Sequence, residues 1–149
     1  MTEVLFYHLE QQPLDRVLPN LLEKTLERGW KAVVRSGNEE RLEALDTALW
    51  TYRDDSFLPH GTKKDGSGEM QPVYLTTGDE TPNGAGVVFL VDGAELEIFE
   101  GFERVVHLFD GHDTDALELA RRQWKAAREA GCAVTYWQQN AQGRWEKKA

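Results

Sequence analysis

The order of hydrophobic patterns in the first fifty residues constrains the fold more than any other feature. Val4 to Leu9 is an apolar run too short for a helix and is read as a buried strand. Leu14 to Arg28 then places Val17, Leu18, Leu21, Leu22 and Leu26 at helical spacing, with Gly29 where a C-terminal cap belongs. Pro19 inside this pattern is expected in the first turn or at a kink. Trp30 to Arg35, centred on Ala32, Val33 and Val34, is the second strand. A second helix follows from about Glu39 to Tyr52, capped by Ser36 or Asn38. Strand, helix, strand, helix in this order demands right-handed crossovers between parallel strands. The prediction is an α/β chain in which residues 1–149 form one layered domain, with a mostly parallel central sheet and helices on both faces.

Farther along, Gly61 to Gln71 is rich in Gly, Lys, Asp and Ser and reads as a mobile loop. Val73 to Thr76 is a short strand, and Gly78 to Gly86 a turn-rich loop. Val87 to Val91 is the most apolar run and is expected at the centre of the sheet. Leu96 to Phe99 is read as a helical turn and Arg104 to Phe109 as a strand. Asp113 can cap a long helix reaching Ala130, closed by Gly131, with Asp115 and Glu118 near its positive end. Val134 to Gln138 is a strand, Asn140 to Gly143 a turn, and Arg144 to Lys147 a return strand that makes a hairpin.

Composition removes several function classes. A formal net charge of -9 argues against sequence-independent binding of duplex DNA, which needs an excess of Lys and Arg. Cys132 is the single cysteine, so neither an intrachain disulfide nor a cysteine-based zinc site can form. No stretch approaches the roughly 18–20 apolar residues of a membrane span, and a soluble, cytoplasmic domain is expected.

Motifs for chemistry are weak. Gly84 and Gly86 precede a strand, whereas a dinucleotide fingerprint places its glycines after one. The first strand-to-helix turn, Leu9 to Leu14, has no glycine. The run from Asp110 to Asp115 has the look of a metal loop but lacks calcium-loop spacing, and helix capping accounts for its acids. His8, His60, His107 and His112 show no zinc-like pairing, and Ser36 and Ser56 sit in no nucleophile elbow. No cofactor and no catalytic group is assigned. The alternative held against a binding module is a small α/β nucleotide-binding or hydrolytic enzyme.

Two features suggest contact surfaces instead. The stretch from Leu45 to His60 closes a helix and brings Trp50, Phe57, Leu58 and His60 to one corner, either as core filling or as a contact surface. The helix from Asp113 carries Ala116, Leu119, Ala120, Gln123 and Ala127 on its core face. Beside that face Arg121, Lys125 and Arg128 form a basic ridge without an acid, in a chain of 26 acids and 17 bases. Trp124 stands on the border. The ridge is either a solvated face or a seat for an acidic peptide bearing a hydrophobic residue.

These pieces together resemble the chi subunit family of bacterial DNA polymerase III holoenzyme. The resemblance rests on Phe6-Tyr7, on Trp30 to Val34, and above all on Leu45-Asp46-Thr47-Ala48-Leu49-Trp50, Ser56-Phe57-Leu58-Pro59-His60 and Ala120-Arg121-Arg122-Gln123-Trp124-Lys125. It implies a Rossmann-like topology without a nucleotide site and a non-catalytic replication accessory subunit. It also implies two partners: the acidic, phenylalanine-ended C-terminal tail of single-stranded-DNA-binding protein, and a psi subunit or other clamp-loader component. DNA is then reached mostly through the single-strand protein. Carried over by position, Arg121, Trp124 and Lys125 bind the tail, with Arg128 along its path and Trp50 and Phe109 beside the pocket. Phe57, with Leu58 and Pro59, contacts psi. The chain departs from the family pattern in its longer C-terminal end, Val134 to Ala149.

Overall fold

The computed structural model describes residues 2–51, 60–62, 68–96, 99 and 101–148. Strands β1 (Glu3–Leu9), β2 (Ala32–Ser36), β3 (Gly61–Thr62), β4 (Val73–Thr76), β5 (Val87–Val91), β6 (Arg104–Asp110), β7 (Ala133–Gln139) and β8 (Trp145–Lys147) form one sheet. Their order is β3-β4-β2-β5-β6-β1-β7-β8. Every pairing is parallel except that of β7 with β8. Helices α1 (Leu14–Glu27), α2 (Glu39–Thr51) and α3 (Thr114–Glu129) supply the layers.

Strand alternation divides the core in two. On one face Leu18 and Leu22 of α1 and Leu45 and Leu49 of α2 pack on Val34, Leu75, Phe89 and Val106. On the other, Ala120 and Ala127 of α3 lie over Val4, Phe6, Val33, Val88 and Val105. Val87 to Val91 is fully buried, as its uninterrupted apolar run requires of a central parallel strand. The buried positions of α3 are Ala120, Gln123 and Ala127, while Ala116 and Leu119 are only partly covered.

The helix ends behave as the capping rules require. Asn38 Oδ1 accepts from Arg41 N at 3.0 Å and opens α2, with Ser36 Oγ holding Asn38 N. Gly29 and Gly131 take left-handed φ of 82° and 83° just beyond α1 and α3. Pro19 sits past the first turn, buried inside α1. Trp30 is not strand: β2 begins at Ala32, and the Trp30 ring lies under the guanidinium groups of Arg28 and Arg104. The Gly61–Gln71 reading needs correction at both ends. Gly61–Thr62 is a short strand paired with β4, Gly61 opposite Tyr74 and Thr62 opposite Leu75, and Gly68–Met70 is a 3₁₀ turn. The helical turn expected at Leu96 to Phe99 falls partly outside the described residues. No helix among the described residues is long and apolar enough to cross a membrane.

Candidate protein-binding face

The α3 face is built on its cap. Asp113 Oδ1 accepts from Asp115 N at 2.9 Å and from Ala116 N at 3.3 Å. Asp110 Oδ1 accepts from His112 N at 2.9 Å. Asp110 and Asp113 therefore serve backbone donors, and the described residues contain no group of three or more His, Cys, Asp or Glu able to hold a metal.

Two turns farther on, Arg121, Lys125 and Arg128 are exposed along one side of α3. Arg122, on the other side, pairs with Glu95 at 3.6 Å. Trp124 is half-buried, its ring 5.4 Å from Phe6 and 5.9 Å from Tyr136. Tyr136 is in turn 6.0 Å from Phe109, which is buried against His8 at 5.3 Å. The aromatic set thus draws on β1, β6, β7 and α3, and the parallel register that places Phe6 between His107 and Tyr136 assembles it.

Polar groups stiffen the same corner. The Tyr136 hydroxyl and His8 Nδ1 are 2.6 Å apart. His8 Nε2 lies 3.0 Å from Glu10 Oε1. Burial pushes the His8 pKa down, against the pull of Glu10. Burial thus favours the neutral ring, whose Nδ1 shares one hydrogen bond with the Tyr136 hydroxyl. Burial raises the Tyr136 pKa, and the nearby Arg121 guanidinium opposes that rise. Arg121 therefore lies within electrostatic range of Tyr136, which is packed against Trp124. Gly111 makes the arrangement possible, since a Cβ there would overlap the His8 ring.

Of the positions singled out in the sequence, Arg121, Trp124, Lys125 and Arg128 share α3, and Phe109 joins them through Tyr136. Trp50 does not. It belongs to α2, which packs with α1 on the opposite face of the sheet, so it cannot wall a pocket with Trp124. Its half-exposed ring lies 4.2 Å from His60, whose Nε2 is 3.0 Å from Asp46 Oδ1. Phe57, Leu58 and Pro59 lie outside the described residues. Tyr136 was missed by sequence reasoning. The available signal was its place in a strand of alternating pattern, Val134 to Gln138, but nothing local says that α3 covers that strand.

The β1-to-α1 turn bears on nucleotide binding. In doubly wound sheets the N–H groups of this turn receive a phosphate. Here the backbone N–H groups of Glu10, Gln11 and Gln12 donate to Gln139 Oε1 at 3.1, 3.0 and 3.2 Å. Gln139 is 1% exposed, and its Nε2 donates to Gln12 Oε1 at 3.1 Å. The chain's own amide fills the phosphate position.

Against known proteins, residues 1–135 match the sequence model of a family described as DNA polymerase III chi subunit, HolC. The chain is also similar to a protein of Rickettsia prowazekii (strain Madrid E) named "Probable DNA polymerase III subunit chi". The two are 28% identical over 117 residues, covering 74% of this chain and 71% of the relative.

Proposed function

The chain belongs to the DNA polymerase III chi subunit family, and on that premise we propose that it is a non-catalytic replication subunit of the bacterial cytoplasm that grips the acidic C-terminal tail of single-stranded-DNA-binding protein through α3. The observation that carries the reading is a half-buried Trp124 and Tyr136 beside three exposed cations of one helix side, Arg121, Lys125 and Arg128, in a chain of net charge -9. The tail's terminal phenylalanine inserts against Trp124 and Tyr136, with Phe109 behind them. Arg121 or Lys125 takes its terminal carboxylate in a charge-assisted hydrogen bond. The upstream acids follow the ridge toward Arg128. Negative charge elsewhere on the chain repels both DNA and acidic tails and confines attraction to this helix. Filling of the β1–α1 turn by Gln139 favours a binding role over nucleotide chemistry.

The clamp-loader side of the link runs through a psi subunit, where one exists, held by Phe57, Leu58 and Pro59. Trp50, exposed beside His60 at the end of that segment, widens this second contact on the face opposite α3. One subunit then holds two partners without competition.

Fluorescence anisotropy of a labelled acidic tail peptide ending in Phe tests the proposal. Wild type binds at the order of micromolar Kd, more weakly as salt rises. Trp124→Ala weakens binding, and Lys125→Glu weakens it further at low salt because repulsion replaces a contact. Unchanged curves for both variants would return the ridge to a solvated surface.

A further inference from the structure

A cleft of about 850 Å³ opens at the carboxyl ends of β5, β6 and β1. It lies where the crossovers diverge: α1 leaves β1 over one face of the sheet and α3 leaves β6 over the other. Such switch points are where parallel sheets bind ligands, usually anions held by backbone donors at the helix N-termini. Here those donors are already used. Gln139 Oε1 takes the three N–H groups before α1, and Asp113 takes two in the first turn of α3.

What the cleft leaves over is acceptors. His107 lines it, is 4% exposed, and its Nε2 has no partner among the described residues. A neutral imidazole carries one proton and one lone pair, so Nε2 accepts whenever the proton sits on Nδ1. Asp92 also lines the cleft. Arg41 Nε approaches its Oδ1 at 3.4 Å, while its buried Oδ2 is unpartnered. Carboxylates of Glu10, Asp110 and Asp115 stand on the same lining. The two cations there, Arg41 and Arg122, are each already paired with an acid, Arg41 with Asp92 and Arg122 with Glu95. Leu90, Leu108 and Phe109 give the walls an apolar character.

A buried acceptor without a donor is costly, and two on one cleft call for the same ligand chemistry. We propose that this cleft is a cation site, taking an alkylammonium or alkylguanidinium group whose N–H donors reach Asp92 Oδ2 and His107 Nε2 while its methylene stem lies on the apolar wall. Phe109 borders both this cleft and the tail-binding face, but the two select ligands of opposite sign. The cleft lies at the first turns of α3 rather than along its later ridge, and it selects a positive ligand where the ridge selects a negative one.

Isothermal titration calorimetry of the full chain with 1,5-diaminopentane, agmatine and Nα-acetyl-lysine amide tests the site, with pentanoate as the stem-matched anion. At least one cation should bind saturably and pentanoate should not. Asp92→Asn and His107→Phe should each weaken binding about tenfold, the loss expected for a hydrogen bond to a charged group. Preference for the lysine amide assigns the cation to a side chain of a partner protein, and preference for the diamine or agmatine assigns it to a free polyamine. Asp92→Asn is nearly isosteric and carries the test alone if His107→Phe fails to fold. The proposal is overturned if no cation binds saturably. It is also overturned if binding survives both substitutions and vanishes with added salt, which would identify diffuse attraction to surface carboxylates.

Discussion

Replacing Gln139 by Ala should destabilise the chain by about 3 kcal/mol. The side chain accepts three backbone N–H bonds and donates one, from a position that is 1% exposed. The donors belong to Glu10, Gln11 and Gln12 in part-buried bonds that water can reach once the acceptor is gone, so each lost bond costs about 1 kcal/mol. Loss of the Gln139 side chain also loosens the end of β7 against the turn after β1. Urea unfolding followed by far-UV circular dichroism measures the effect, and the m-value should be unchanged if the native state stays compact. The variant exposes an empty cradle of three N–H groups, so added sulfate should raise its Tm more than that of wild type. A loss below about 1 kcal/mol with no sulfate response would refute the account of Gln139 as a filler of an anion cradle.

Other outcomes follow from the same contacts. Gly111→Ala should cost about 2–3 kcal/mol through overlap with the His8 ring; a wild-type Tm would mean that His8 swings away freely. Trp50→Ala should leave anisotropy of the tail peptide unchanged while Trp124→Ala shifts it, because the sheet stands between them. Equal effects would overturn the two-face arrangement. His107 is buried neutral, with its pKa lowered from 6.5 to about 3 by desolvation. The unfolded chain therefore binds a proton that the folded chain refuses. Stability should be full above pH 6.5 and fall by about 1.4 kcal/mol per pH unit as pH drops from there toward 3. His8 acts in the same direction. Urea unfolding at stepped pH should show His107→Phe with a flatter acid limb, and identical limbs would refute the assignment.

The mostly parallel α/β architecture with helices on both faces was legible because its signals are local. Helical spacing in α1 and α3, the apolar run of β5, the caps at Asn38 and Asp113 and the closing glycines each follow from a few neighbouring residues. The basic ridge was legible for the same reason, since 121, 125 and 128 share a helix face by spacing alone. What completes the candidate site was not. Tyr136 meets His8 across 128 residues of sequence, and Phe6 lies between His107 and Tyr136, because β1 pairs with both β6 and β7. Side-chain periodicity says which residues share a strand face, but not which strands are neighbours. The same limit misplaced Trp50. Its motif is intact in the chain, yet the handed crossover that carries α2 onto the α1 face decides that it stands on the opposite side of the sheet from Trp124. Local spacing accounts for the elements, their ends and the charge along one helix. Tertiary structure alone decided which aromatic side chains surround that helix, because strand order and crossover hand are long-range choices that no local spacing encodes.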